Sequence, residues 1–209
     1  MKDWDEIFRK IGAVHVKPSK DLVGVVQVLK RNKVVRVLDL GCGMGRHLEY
    51  LKDTGFRVYG CDKSDEALRV SGKIIASARL KKAEMSKLPY RPGFFDLVLS
   101  TAVIQHGKIA KIKRTISEIT RVLKKGGFVF IETLSAKDSS YGKGKEVEKG
   151  TFTKTNQLDG DIPHHYFTEE ELRGFFKDYK ILRLDHRLRD STQRKGKKRS
   201  FWVLFARKE

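Results

Sequence analysis

The residues with the most chemistry in their spacing are Asp39-Leu40-Gly41-Cys42-Gly43-Met44-Gly45, a carboxylate followed by alternating glycines and then by Arg46. Glycines at this spacing let the backbone turn sharply and let a ligand approach amide groups that a Cβ would shield. About 20 residues beyond Gly41, where a ribose-binding carboxylate is expected, stand Asp62 and its neighbour Lys63. The spacing is G-x-G-x-G, and Arg46 occupies the position where a pyrophosphate-binding loop requires a small residue. Pyrophosphate is therefore disfavoured. Asp39 has two readings of equal weight: it contacts a ligand directly, for example an ammonium group, or it braces the N–H groups of the loop. Arg46 and the loop amides suit a ligand carboxylate.

A second set of residues could act on a substrate. His106 follows a predicted strand and is the best-placed base candidate; His164, His165 and Tyr166 follow a long polar stretch and are placed to fold back over an acceptor. Each also has a structural reading, since histidines near loops often bond the backbone. No residue is assigned as catalytic. His47 reads as a helix residue near the site, Asp96 as structural, and Cys42 and Cys61 as small packing residues beside the ligand.

The elements that position these groups follow from periodicity. A helical segment reaches Asn32, with Ser19 as N-cap and Leu22, Val23, Val26 and Leu29 at helical spacing. The β-branched run Val34–Leu40 then stops at the glycine loop, as a strand buried on both faces does. Helix 46–53, strand 56–61, a Ser64-capped helix to about 78, a weak strand 79–83 and strand 94–100 continue the alternation. A helix with Ile109, Ile112, Ile116, Ile119 and Leu123 on one face is expected to end at a Gly126-Gly127 C-cap, before strand 128–133. Residues 135–163 read as a long loop and candidate lid. Thr168 with Glu171 signs a capping box, and two final strands near 180–187 and 200–206 should pair as an antiparallel hairpin. Strands alternating with helices imply right-handed crossovers and a parallel sheet.

Bulk properties set the context. The 209 residues are expected to form one domain, with two cysteines and no apolar run of membrane-spanning length. The opening Met1–Glu6 mixes both charges and does not read as a signal peptide, so a cytoplasmic location is expected and no structural metal is called for. Forty-five Lys and Arg against 26 Asp and Glu leave a net charge of +19, which attracts polyanions. The segment Lys108–Lys125 carries seven basic residues against the single Glu118, and the turn 194–199 adds five more.

Five ordered stretches, VLDLGCGMGRHLEYL (37–51), GCDKSDEAL (60–68), AEMSKLPY (83–90), FFDLVLSTAVIQH (94–106) and EITRVLKKGGFVFIE (118–132), resemble the class I methyltransferases that use S-adenosylmethionine (AdoMet) over nearly the whole chain. AdoMet has no phosphate, which agrees with the loop spacing. The resemblance implies a Rossmann-like α/β fold, a seven-stranded mostly parallel sheet in the order 3-2-1-4-5-7-6 with strand 7 antiparallel and helices on both faces. It also implies that Glu84 or the Met85 backbone reads the adenine amino edge, that Ser100, Thr101 and Ala102 border the methionine moiety, and that S-adenosylhomocysteine is the product. Glu84 departs from the Asp that relatives often carry. The acceptor is expected to be a small molecule. LPYR (88–91), AVIQH (102–106), HHYFTEEEL (164–172) and Phe201-Trp202-Val203 are also similar to tRNA wobble-uridine carboxymethyl methyltransferases, which makes RNA the alternative. A non-catalytic AdoMet-binding protein is the third reading.

Overall fold

The computed structural model describes residues 3–12, 17–155, 160–190 and 198–209. Residues 194–197 of the basic turn lie outside the described residues. In chain order the elements are α1 (Trp4–Ile11), α2 (Lys20–Arg31), β1 (Arg36–Leu40), α3 (Arg46–Asp53), β2 (Arg57–Asp62), α4 (Asp65–Ile74), β3 (Arg79–Lys82), β4 (Phe95–Thr101), α5 (Ile109–Val122), β5 (Leu123–Leu134), β6 (Lys145–Glu148), β7 (Thr151–Thr153), β8 (His164–His165), α6 (Glu169–Phe175), β9 (Tyr179–Asp190) and β10 (Lys198–Lys208).

The main sheet runs β3-β2-β1-β4-β5-β10-β9. Its first five strands pair in parallel, and β10 is antiparallel to both β5 and β9. The expected order is the observed one. Alternation along each strand explains the continuous apolar runs. Leu38, Val98, Ile131 and Leu204 pack with Ile112, Ile116, Ile119 of α5 and Leu172 of α6. Val37, Leu97, Leu99, Phe130 and Val203 pack on the other face against Leu22 and Leu29 of α2 and Leu48 and Leu51 of α3. A sheet covered on both faces needs apolar residues at odd and even positions alike.

Helix ends are set by local chemistry. Ser19 caps α2 through Leu22 N–H, Ser64 caps α4 through Ala67 N–H, and Thr168 and Glu171 complete a reciprocal capping box on α6. α4 stops at Ile74 because Ile75 turns out of helical geometry to enter the core. The expected glycine C-cap of α5 is not formed. Leu123 is already extended (φ −75°, ψ 139°), and Gly126 (φ +72°) lies in a bulge where β5 shifts register against β4. The stretch 135–163, expected as a long loop and candidate lid, carries β6 and β7, which pair antiparallel and continue onto β8 as a small second sheet. Its core is Leu134, Phe152 and Tyr166. Among the described residues, no helix is long and apolar enough to cross a membrane.

Candidate cofactor site

The glycine loop leaves the carboxyl end of β1 between its two neighbours, β2 and β4. The amides of Gly41 and Cys42 both donate to the Cys61 carbonyl, at 2.8 and 3.0 Å. Gly41 sits at φ +70°, and a Cβ there would collide with Val103 in the turn after β4. Gly45 starts α3 at φ +89°, and its Cβ would stand 2.5 Å from Ser71 Oγ of α4. The loop thus fits against the β4 turn and α4 only because positions 41 and 45 carry no side chain. α3 begins at Gly45 with no side-chain cap among the described residues.

Asp62 closes the other side of the loop. One oxygen accepts the Gly43 N–H at 2.9 Å and the other accepts the Ser64 N–H at 3.0 Å. Burial pushes its carboxyl above the ordinary range, against the lowering effect of these amides. Each carboxylate oxygen has a second lone pair, so the same group can still accept from two ribose hydroxyls.

Asp39 is the most unusual group in the site. It is 1% exposed, and among the described residues neither carboxylate oxygen accepts a hydrogen bond. It therefore does not brace the loop, a reading that the sequence left open. His47 of α3, itself buried, holds Nδ1 3.8 Å from Asp39 Oδ2. A buried carboxylate without hydrogen bonds is costly unless a cation completes it. That is the requirement an AdoMet ammonium group meets.

The remaining expected cofactor residues ring the same edge. Met85 and Thr101 are buried, and Ser100 is fully buried with its Oγ unbonded among the described residues. Ala102 adopts a left-handed conformation (φ +59°) while its N–H bonds the Glu132 carbonyl at 2.8 Å. A strained alanine at a sheet's carboxyl edge is the kind of feature found where a chain is shaped around a ligand. Glu84 is exposed and held between Lys63 at 3.3 Å and Lys111 at 3.0 Å. Partial burial raises its carboxyl, and these two lysines outweigh that and bring it below the usual range. Arg46 is half-buried at the first position of α3.

A roof over the loop was not foreseen. Phe8 of α1 lies 3.4 Å from where a Gly43 Cβ would be, and Asp5 of α1 accepts bonds from Ser64 Oγ (2.5 Å) and Glu66 N–H (3.1 Å) at the start of α4. Trp4 contacts His106 edge-on at 4.8 Å, and His106 contacts His164 in the same way at 4.7 Å. Trp4 and Phe8, one helical turn apart, were the sequence signal for this helix. The substrate candidates separate here. His106 and His164 share the aromatic wall above the loop. His165 bonds Thr151 Oγ1 at 2.9 Å, and the buried Tyr166 bonds Ser140 Oγ at 2.9 Å, so both side chains belong to the small sheet. Gln105 was missed altogether. Its side-chain oxygen accepts Leu134 N–H at 3.0 Å and its carbonyl accepts His165 N–H at 2.8 Å, joining the β4 turn to both sheets. Asp96 bonds Val35 and Arg36 amides at the opposite end of β4, a structural role.

The glycine loop, the Asp62 carboxylate at the end of β2 and the buried, unbonded Asp39, on this strand order, fit an AdoMet site. Residues 38–131 match the family described as methyltransferase domain. The chain is 36% identical over 101 residues to a tRNA (carboxymethyluridine(34)-5-O)-methyltransferase of Arabidopsis thaliana, covering 48% of this chain and 24% of that protein. It is 34% identical over 113 residues to a ubiquinone biosynthesis O-methyltransferase of Thiobacillus denitrificans, covering 51% of this chain and 47% of that one. The chain thus spans under half the length of these two curated relatives. Among solved structures, a SAM-dependent methyltransferase of Methanosarcina mazei superposes with TM-score 0.77 at 22% identity, over 92% of this chain and 99% of that one. A Burkholderia thailandensis 1,6-didemethyltoxoflavin-N1-methyltransferase with bound S-adenosylhomocysteine gives 0.65 at 19% identity, over 89% and 76%. Over residues 38–131 the chain is thus similar to the methyltransferase domain family, and it shares the fold of solved AdoMet-dependent methyltransferases.

Proposed function

We propose that this protein moves the methyl group of AdoMet to a small-molecule acceptor held under α1. The observation that carries the reading is the buried, hydrogen-bond-free carboxylate of Asp39 beside the glycine loop. Asp39 would hold the cofactor ammonium, Asp62 the ribose hydroxyls, and Arg46 with the loop amides the carboxylate. Glu84, already neutralised by Lys63 and Lys111, leaves adenine recognition mainly to the Met85 backbone. Ser100, Thr101 and Ala102 would line the methionine arm, with Cys42 packing beneath.

AdoMet, when bound, supplies an electrophilic methyl on a sulfonium leaving group. The chain's own task is to align the nucleophile and exclude water. Phe8, Trp4, His106 and His164 supply the dry wall. His106 would take a proton only from an acceptor that carries a weakly acidic one. Two free, buried cysteines fit a reducing cytoplasm.

One observation favours RNA as a second reading. Lys63 and Lys111 stand at the edge of the site, and the chain carries +19 overall. On the other side, Lys111, Arg121 and Lys124, three of the basic residues in 108–125, already pair with Glu84, Glu118 and Asp96.

Calorimetric titration of AdoMet into the wild-type protein and Asp62→Ala tests the proposal. Micromolar binding that collapses in the variant is expected; no wild-type binding would overturn it. Tritiated methyl transfer to metabolite pools and to bulk tRNA then separates the acceptors. RNA binding that weakens steeply with salt, together with tRNA labelling, would replace the small-molecule reading.

A further inference from the structure

Alternation along the sheet places three polar residues on one face, at the carboxyl ends of adjacent strands. Below them on that face lie Val37 of β1, Leu97 and Leu99 of β4, and Phe128 and Phe130 of β5, all in the core shared with α2 and α3. Two residues further along each row come Asp39, Thr101 and Glu132, all buried. Polar groups so placed need partners, and two helices supply them for Thr101 and Glu132. His47 of α3 puts Nδ1 3.4 Å from Thr101 Oγ1 and 3.8 Å from Asp39 Oδ2. Its other nitrogen, Nε2, accepts the backbone N–H of Ser19 at 3.3 Å.

That bond settles the ring's tautomer. With Nε2 accepting, the single proton of a neutral imidazole sits on Nδ1, which faces Asp39. Ser19 is itself held firmly. Its hydroxyl donates to Glu132, and Glu132 is paired with Arg189 at 3.1 Å, which also reaches Asp21 at 2.8 Å. The relay Arg189–Glu132–Ser19–His47 thus runs from the β9 edge to the cofactor carboxylate, and every link except the last is a made bond. The last contact, 3.8 Å, is longer than a hydrogen bond.

We infer that His47 is a positioning residue for AdoMet: held as its Nδ1–H tautomer by Ser19, it donates to Asp39 and aims the carboxylate at the cofactor's ammonium group. The inference rests on the AdoMet reading above. It has a consequence that a merely structural histidine lacks: the effect of His47 must be confined to ligands that carry the amino-acid end, and must pass through Asp39.

The test uses the full chain and two ligands, S-adenosylhomocysteine and 5′-methylthioadenosine, which lacks the amino-acid end. Calorimetry on wild type, His47→Phe, His47→Asn, Asp39→Asn and the double variant His47→Phe/Asp39→Asn reads the affinities, with circular dichroism and melting confirming folding. The Asn side chain keeps an N–H donor near the Nδ1 position; Phe keeps ring volume without it. The expected result is that His47→Phe weakens S-adenosylhomocysteine about tenfold, in the range one hydrogen bond to a charged group gives, and leaves 5′-methylthioadenosine within about twofold. His47→Asn recovers most of the loss, and His47→Phe adds nothing once Asp39 is Asn. Wild-type binding of S-adenosylhomocysteine with equal losses for both ligands in His47→Phe, or with no loss for either, would overturn the positioning role and leave the cofactor reading standing. Unfolding of His47→Phe and His47→Asn alike would overturn it too, since it would make His47 a packing residue. Absence of wild-type binding would overturn both.

Discussion

Two buried aspartates, one at the end of β1 and one after β5, are treated in opposite ways by the fold. Asp138, just after β5 where the small sheet begins, is 4% exposed and fully satisfied. Ser140 donates to Oδ1 through its N–H (2.9 Å) and its hydroxyl, while Ser200 N–H (2.6 Å) and Arg199 (3.1 Å) donate to Oδ2. Asp39, at the end of β1, is more deeply buried and accepts no hydrogen bond among the described residues. The difference separates a carboxylate that serves the fold from one whose acceptors remain open to a ligand. A carboxylate whose lone pairs are all taken can pin a loop but has nothing to offer a cofactor. One left incomplete weakens the free protein and is completed on binding.

The largest effect should come from breaking the unsatisfied member. Asp39→Asn is expected to weaken AdoMet by roughly 30- to 100-fold, the range of a charge-assisted bond, while leaving the melting temperature unchanged or raised, because an uncompensated buried charge is removed. Calorimetry and thermal melting on the same preparation check this; a fall in stability with intact affinity would make Asp39 structural after all.

The reverse pattern is expected at the satisfied member. Asp138→Ala should cost about 2–4 kcal/mol, since it strands Ser200 N–H and Arg199, and should change AdoMet affinity less than twofold. The sign of its pH dependence follows from the environment. Burial pushes the Asp138 carboxyl up, but bonds from Ser140 and Ser200 outweigh this and hold it below its ordinary value. Its stabilisation is therefore fully present above the unfolded value of 3.8 and is lost as pH falls through the lower native one. Urea midpoints between pH 6 and 3 should fall less steeply in Asp138→Ala than in wild type; parallel curves would remove Asp138 from the account.

A smaller effect sharpens the comparison at the cofactor end. Asp5 joins the roof helix α1 to the start of α4, and hydrogen bonds from Ser64 and Glu66 hold its carboxyl below the usual range. Asp5→Ala should cost about 1 kcal/mol, as cap losses do, and should speed proteolysis near α1 when no AdoMet is present. If added AdoMet gave no protection in either protein, α1 would not be a roof over the cofactor.

Much of this architecture is legible along the chain because its signals are contiguous. The β1–loop–α3 passage needs only an apolar run, three glycines and a helix start, and Asp62 lies at the end of the next strand. The Ser19, Ser64 and Thr168 caps are local as well, each resolved within three residues. The glycine C-cap of α5 misled because the same Gly126 that permits a left-handed turn after a helix also permits a strand bulge, and pairing with β4 decides between them. Residues 145–153 read as loop because Lys, Glu, Gly and Thr form strands there only through pairing with one another and with His164–His165.

What the sequence determined by itself was the alternation of strands and helices and the glycine loop, since each depends on residues close together or on the alternation of apolar runs; the strand order followed only from the resemblance to a known family. Tertiary structure alone decided that Asp39 is buried without a hydrogen bond among the described residues, that His47, Ser19 and Glu132 meet, that α1 covers the loop, and that His165 and Tyr166 bond Thr151 and Ser140. In the relay these are contacts between residues 28 to 113 positions apart. Their existence depends on which helices settle on which sheet face, and on how deeply each polar group is then shut off from water.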